Sequence, residues 1–152
     1  MRWDELGRAD CSIAQTLSVI GDRWTLLILR DCFLGLRKFD DFLCSLNVSR
    51  TILTDRLAKL VEEGVLEKIP YQERPTRYDY RLTQKGLDLY PVILTLVEWG
   101  DKYRKDGNKP PLAREHKSCG QVLRSKIVCA ECGEEVTPKQ VTAIRQKLPK
   151  VS

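Results

Sequence analysis

The sequence predicts a mostly α-helical fold with one small β-hairpin, an α+β domain followed by a short extension. Three observations support this. Residues 39–63 carry apolar side chains at helical spacing in two short runs, residues 78–82 alternate as a strand does, and further apolar residues recur at helical spacing on both sides. Because 152 residues support one domain of ordinary size with an appendage, we expect a domain at residues 1–106 and an extension at residues 107–152.

Two short helices are predicted before residue 39, separated by Gly21. The first carries apolar residues at a spacing of three or four: Ile13, Leu17 and Ile20. The second would begin at Asp22, whose carboxylate can cap a helix. It would turn these side chains toward the core: Trp24, Leu27 and Ile28.

Residues 39–64 predict two helices joined by a tight turn. The first presents one apolar face, made of Phe39, Phe42, Leu43 and Leu46. Ser49 is a good N-cap for the second, because its hydroxyl can accept a hydrogen bond from an unpaired backbone N–H. The second helix would bury these residues: Leu53, Leu57, Leu60 and Val61. Gly64 can adopt the left-handed conformation that ends this second helix. The two helices and the turn between them therefore predict a helix-turn-helix.

The outer face of the second helix carries hydroxyl groups and cations. In a helix-turn-helix, this helix presents its N-terminal side chains to base edges in the major groove of DNA. Arginine can pair bidentately with guanine, and threonine can bond a base or touch a thymine methyl. The side chains predicted to contact DNA are Ser49, Arg50, Thr51, Thr54 and Arg56. The alternative is an ordinary helical hairpin with a solvated outer face.

The segment after Gly64 predicts a β-hairpin, which favours DNA binding over that alternative. Apolar residues alternate with charged ones in its second strand: Tyr78, Tyr80 and Leu82. Pro75 marks the connecting loop. A hairpin directly after a recognition helix makes a winged helix, and its tip would bring Arg74 and Arg77 to phosphates or a minor groove.

The basic charge of the chain is not concentrated in this region. The net charge is +5, yet residues 35–81 hold 9 basic and 8 acidic side chains. The cations must therefore be segregated by face, with these acidic residues turned away: Asp40, Asp41, Glu62, Glu63 and Glu67. Affinity for DNA comes mainly from neutralising its phosphates. Because one chain carries little net charge here, we expect a dimer, in which the phosphate contacts of two protomers add together.

A long helical stretch is predicted from Leu87 to Tyr103, with Pro91 expected to kink or divide it. Its apolar surface is wide for a terminal helix, which favours packing against a second protomer. The alternative is that it folds back on its own domain. The first five residues are not a signal peptide, and no apolar run approaches the ~20 residues that span a bilayer. We therefore expect a cytoplasmic protein with no membrane partner.

The extension carries two pairs of potential metal ligands with the same spacing, His116 with Cys119 and Cys129 with Cys132. Tetrahedral zinc takes thiolate and imidazole ligands, so one structural zinc ion on a zinc-ribbon-like hairpin is one interpretation. A hairpin without metal is the second. The third is a redox-active Cys129–Cys132 pair, which would make the chain a thiol/disulfide redox protein, although no βαβ context is apparent.

Several motifs resemble the HxlR-type winged-helix regulators. They are Cys11 and residues 21–30, 35–39, 49–57, 80–86 and 98–100, in that order. The resemblance runs from about Cys11 to Tyr103. It implies a bacterial or archaeal transcription factor, not an enzyme, that binds double-stranded DNA at a two-fold operator. It also implies a homodimer held by the N-terminal helix and the Leu87–Tyr103 helix. A winged-helix module that binds another protein is a rival that the basic wing argues against.

Several members of that family use the cysteine matching Cys11 to sense oxidants or electrophiles, so the resemblance makes Cys11 a candidate sensor. The family usually has proline where this chain has Ser12. A position near a helix start favours a reactive thiolate, whereas the adjacent Asp10 opposes one. The alternative is a small buried residue at the dimer seam. Cys32 and Cys44 lie on or near apolar helix faces and are expected in the core.

Overall fold

A computed structural model describes residues 3–105 and 107–144. The chain divides into two compact units, Met1–Arg104 and Lys105–Ser152. The elements of the first unit are α1 (Trp3–Leu6), α2 (Ser12–Ile20), α3 (Arg23–Phe33), α4 (Phe39–Leu46), α5 (Arg50–Glu62), β1 (Leu66–Glu73), β2 (Thr76–Leu82), α6 (Gln84–Leu87) and α7 (Tyr90–Lys102). Those of the second unit are β3 (Glu115–His116) and β4 (Gln121–Val122). In the part of the chain that the structure describes, no helix is long and apolar enough to cross a bilayer.

Helices α4 and α5 form the predicted helix-turn-helix. Asn47 ends α4 in the left-handed conformation, at φ 47°, and reverses the chain. The Ser49 hydroxyl accepts a hydrogen bond from the Ile52 backbone N–H at 3.3 Å, which confirms the predicted cap. Gly64, at φ 68°, follows the end of α5 and lets the chain turn into β1. The recognition helix is therefore bounded by the residues that the sequence indicated.

The core of the first unit lies between α3, α4, α5 and β1. Its most deeply buried apolar side chains are Ile28, Leu29, Phe42, Leu53, Leu57, Leu60, Val65 and Leu66. Three of these belong to α5, so its apolar stripe fixes the rotation of the recognition helix about its own axis. The predicted cap of α3 is also present, since Asp22 accepts hydrogen bonds from the backbone N–H groups of Trp24 and Thr25.

The wing is an antiparallel pair whose register runs from Leu66 opposite Leu82 to Glu73 opposite Thr76. Its base is fastened to the end of α5 by Thr83, whose hydroxyl donates to the Gly64 carbonyl at 2.6 Å. Gly86 packs directly over this junction, because a Cβ there would lie 2.3 Å from the Val65 carbonyl oxygen. These contacts fix where the wing leaves the recognition helix.

The predicted helix from Leu87 to Tyr103 is divided, as its proline suggested. The α7 helix begins at Tyr90, with Pro91 in its first turn. Backbone N–H groups in the first turn of a helix have no partner within the helix, so a proline there costs no hydrogen bond. Ile93 is buried against the core. A neighbouring face of the same helix exposes large apolar residues: Val92, Leu96 and Trp99.

The second unit contains two short hairpins where the sequence predicted one. β3 pairs with β4, and a separate bridge joins Val128 to Glu135. Gly120 and Gly133 adopt positive φ angles of 68° and 76°, so each Cys-Gly step makes its own tight turn. None of the described residues from 105 to 144 is buried.

Candidate nucleic-acid interface

The N-terminal half of α5 presents a polar surface to solvent. Because Leu53 and Leu57 face the core, the side chains between and before them point outward. Four of the residues predicted to contact DNA are exposed there: Ser49, Arg50, Thr51 and Thr54. The Ser49 hydroxyl also caps the helix, and the side chains of Thr51 and Thr54 are exposed beside it. The arrangement can present one guanidinium and two hydroxyl groups to a groove edge.

Arg50 has a partner that the sequence analysis placed elsewhere. Its Nη2 atom lies 3.3 Å from Asp40 Oδ1, and its guanidinium carbon lies 5.6 Å from the centre of the Phe39 ring. The expectation that Asp40 turns away from the basic face is wrong, because the first turn of α4 lies beside the start of α5. The two side chains are 72% and 64% exposed, so the ion pair is weak and can open when a base competes.

A cleft of about 570 Å³ separates the start of the two helices from the wing. Its lining residues are Lys38, Phe39, Asp40, Asp41, Arg50, Tyr71, Thr76, Arg77, Tyr78 and Tyr80. The structure thus places the helix residue Arg50 and the wing residue Arg77 on one concave surface. Lys38 also lines the cleft, with its Nζ 5.1 Å from the centre of the Tyr71 ring. Lys38 was not among the residues predicted to contact DNA, although the adjacent cations Arg37 and Lys38 were a signal.

The tip of the wing carries the other predicted cation. Arg74 and Arg77 are both exposed. The turn between them is held by a hydrogen bond from Gln72 Nε2 to the Arg74 carbonyl at 3.2 Å and one from the Thr76 hydroxyl to the Glu73 carbonyl at 3.1 Å. Arg74 therefore sits at a defined turn beyond the cleft that Arg77 lines.

Arg56 differs from the other predicted DNA contacts. Its Nε donates to Asp22 Oδ1 at 2.9 Å, and the two side chains are only 35% and 34% exposed. One turn later, Lys59 Nζ donates to the Ser18 carbonyl at the end of α2. The cations in the second half of α5 thus contact the end of α2 and the start of α3. A DNA contact by Arg56 stays a prediction, with its guanidinium already engaged within the protein.

The cysteines of the first unit lie in contrasting surroundings. Cys11 precedes α2 and is exposed, and its side chain makes no capping hydrogen bond. Burial and the nearby Asp31 charge raise the pKa of Cys32 to about 12, so this thiol stays protonated at neutral pH. Cys44 is exposed, which corrects the expectation of a core thiol, because it falls on the outer side of α4.

An apolar groove of about 370 Å³ runs between α2 and α7. Its lining residues are Ser12, Ile13, Thr16, Leu17, Ile20, Leu26, Val92 and Leu96. Ile13, Leu17 and Leu96 are exposed within it. It combines the two elements that the sequence analysis assigned to a dimer interface, and that assignment stays a prediction.

The four predicted metal ligands form two separate pairs. His116 Nδ1 lies 3.3 Å from Cys119 Sγ. Backbone N–H groups of Cys132 and Glu131, and then the Cys132 side chain, lower the pKa of Cys129. Among the residues that the structure describes, no three His, Cys, Asp or Glu side chains are grouped so as to hold a metal ion.

Known proteins share both the motif and the fold. The model of the HxlR-like helix-turn-helix family matches residues 19–108. An HTH-type transcriptional regulator of Mycobacterium tuberculosis (strain H37Rv) is 41% identical over 131 residues, covering 86% of this chain and 83% of the relative. The HTH-type transcriptional regulator YdeP of Bacillus subtilis (strain 168) is 32% identical over 106 residues, covering 69% and 83%.

Two solved structures extend the comparison. PA1607, assigned as a transcription factor, is 33% identical with a TM-score of 0.82, covering 92% of this chain and 98% of its own. The redox regulator HypR in its reduced form is 28% identical with a TM-score of 0.59, covering 63% and 96%. With the family match over its helix-turn-helix and wing, the chain belongs to the HxlR-like helix-turn-helix family of winged-helix transcriptional regulators.

Proposed function

We propose that this regulator binds a specific two-fold DNA operator as a homodimer. The observation that carries the proposal is the concave surface shared by the start of α5 and the wing, with Arg50 and Arg77 on the same cleft. Exposed Thr51 and Thr54 supply hydroxyl groups beside Arg50. A winged helix that bound protein would have no need for cations on both the recognition helix and the wing tip.

The residues divide into two roles. Arg50, Thr51 and Thr54 read bases, since they occupy the N-terminal turns of the recognition helix. Arg74 and Arg77 hold phosphates from the wing, and Ser49 sets the start of the helix while facing the same groove. A regulator that acts on DNA works in the compartment that holds the DNA, so we place this protein in the cytoplasm.

The test is salt-dependent binding to a duplex from the gene's own upstream region and to a random duplex. Replacing Arg74 or Arg77 by alanine should weaken binding to both duplexes alike and lower the salt slope by about 1 per removed phosphate contact. Arg8→Ala is the matched control, because it removes an exposed cation between α1 and α2. Failure to bind any duplex would leave the protein-binding module as the better interpretation.

The dimer is supported by the apolar groove between α2 and α7, whose exposed side chains form one continuous surface. Native mass spectrometry should give twice the 17.5 kDa chain mass. Leu17→Glu should shift that mass to the monomer, because a buried unpaired carboxylate is costly. Val122→Glu, at an exposed apolar residue of the second unit, is the control. A monomer in the unsubstituted protein would remove the two-fold operator from the proposal.

The response to oxidants or electrophiles is proposed at Cys11. The support is its exposure before α2 and the likeness of the fold to the redox regulator HypR. Treatment with a hydroperoxide or a quinone should change the DNA affinity of the unsubstituted protein and leave that of Cys11→Ser unchanged. Cys44→Ser, at another exposed thiol of the first unit, should respond as the unsubstituted protein does. If the DNA affinity of Cys11→Ser and that of Cys44→Ser changed equally on treatment, the sensing residue would be neither Cys11 nor Cys44.

A further inference from the structure

We propose that the second unit is a zinc-binding module in which His116, Cys119, Cys129 and Cys132 all ligate one ion. The proposal concerns a different unit from the DNA-binding surface and does not depend on it. Three observations carry it: the two ligand pairs occupy turns of the same geometry, none of the unit's described residues is buried, and the distance between His116 and Cys119 suits zinc.

The two turns repeat one another in backbone geometry. In the first, the Gly120 N–H donates to the His116 carbonyl at 2.8 Å. In the second, the Gly133 N–H donates to the Cys129 carbonyl at 2.8 Å. Each turn then closes on a left-handed glycine. A turn of this kind aims its first and fourth side chains toward the same side, which is the arrangement that two ligands of one ion require.

The residues of the second unit that the structure describes form no apolar core to hold these turns. None of the described residues from 105 to 144 is buried, and Val122, Ile127 and Val128 are all exposed. Units of about 40 residues usually need a disulfide, a metal ion or a partner to be stable. All four cysteine and histidine positions in this unit belong to the two turns, so a metal ion is the stabiliser that its composition suits.

The spacing within the first pair also suits zinc. Ligand distances of about 2.1 Å for nitrogen and 2.3 Å for sulfur place two tetrahedral ligands roughly 3.5 Å apart. His116 Nδ1 and Cys119 Sγ are 3.3 Å apart. Three thiolates and one imidazole are a soft donor set that favours zinc over magnesium or calcium. A redox-active Cys129–Cys132 pair would leave this matching arrangement of the first turn unexplained.

The two ligand pairs lie apart in the described residues, because no three potential ligands are close enough there to hold one ion. Metal binding would have to close the unit, and in small metal-binding modules the binding free energy is the folding free energy. The chain assists this closure because Cys119 and Cys129 are only ten residues apart, which keeps the second pair near the first. Four protein ligands leave no open position, so the ion is structural and not catalytic.

The test is titration of the full-length, metal-free protein with Co²⁺, a coloured substitute for zinc. One equivalent should give the visible absorption of a tetrahedral thiolate site, and one equivalent of Zn²⁺ should remove it. Cys132→Ser and His116→Ala should weaken Co²⁺ binding at least tenfold. Cys11→Ser and Cys44→Ser are matched controls outside the unit and should bind Co²⁺ as the unsubstituted protein does.

A second readout follows the closure itself. Zn²⁺ should slow tryptic cleavage at Lys117 and Lys126 in the unsubstituted protein but not in Cys132→Ser. The thermal unfolding of the first unit should be the same in both, which shows that the substitution leaves that unit folded. Binding with no defined stoichiometry, or binding unchanged in Cys132→Ser, overturns the proposal. Protection from trypsin by air oxidation alone, with a Cys129–Cys132 disulfide found by mass, would favour the redox interpretation instead.

Discussion

The two halves of α5 use their basic side chains in different ways. In the first half, Arg50 is 72% exposed and lines the cleft beside the wing. In the second half, Arg56 pairs with Asp22, and Lys59 donates to the carbonyl of Ser18. One helix thus carries one cation that lines the cleft beside the wing and two cations that fasten it to the rest of the domain.

Helical geometry explains the difference. A turn of 3.6 residues rotates successive side chains by about 100°, so Thr54 and Arg56, two residues apart, point roughly 160° apart. The buried stripe that contains Leu53 and Leu57 runs between them. One flank of that stripe faces the cleft beside the wing, and the other faces the end of α2 and the start of α3. The direction in which each cation of α5 points therefore follows from its rotation about the helix axis relative to the buried stripe.

The largest expected effect is a loss of stability on truncating one residue of the buried stripe that separates the two flanks of α5. Leu57→Ala should lower the free energy of unfolding by about 2–5 kcal/mol, because Leu57 is fully buried in the core. Urea denaturation measures the change. Leu96→Ala, at a half-exposed residue of α7, should cost far less in the monomer. Similar losses for the two variants would mean that α5 is not anchored by this stripe.

Substitution of Arg50 tests whether the flank of α5 that lines the cleft contacts DNA. Arg50→Ala should weaken binding to the operator by about 1–3 kcal/mol and relax the preference for one base, if the guanidinium pairs with guanine. Asp40→Asn should not weaken binding, because it removes only the anion that competes for Arg50. Fluorescence anisotropy on operator and random duplexes measures both. An equal loss on the two duplexes would show that Arg50 contacts phosphate alone.

The junction between turn and helix is tested by Ser49, which has both a structural and a surface role. Ser49→Ala should lower the free energy of unfolding by about 1 kcal/mol, because it removes the cap on Ile52. Ser49→Asp should retain that stability, since aspartate also caps helices, yet weaken DNA binding by repelling phosphate. Denaturation and anisotropy separate the effects. Stability equal to that of the unsubstituted protein in Ser49→Ala would remove the structural role.

The smallest effect is expected on the fastening flank. The Arg56–Asp22 pair is about a third exposed, so a double-mutant cycle with Arg56→Gln and Asp22→Asn should give a coupling of about 0.2–1 kcal/mol in unfolding. The salt slope of DNA binding should stay unchanged in Arg56→Gln. A slope lower by about 1 would show that Arg56 contacts phosphate, as the sequence analysis predicted.

Local signals made most of the fold predictable. The caps at Asp22 and Ser49 and the division of the last helix near Pro91 depend on residues a few positions apart, so the pattern of the chain contains them. Cys44 was misassigned because it lies beside the apolar face of α4 and not within it. A single hairpin was predicted for the second unit because Val122, Ile127 and Val128 lie between the two ligand pairs, whereas each pair is followed by a left-handed glycine that closes its own turn.

The sequence by itself determined the helix-turn-helix, the wing that follows it, and the candidate cations for a DNA contact. Periodicity and capping are local properties, and each is readable within about ten residues. Only the tertiary structure decided which cations are available. Arg50 meets Asp40 from the preceding helix, and Arg56 meets Asp22, 34 positions away. Such partners depend on how the helices cross, and the packing of their buried faces sets that geometry.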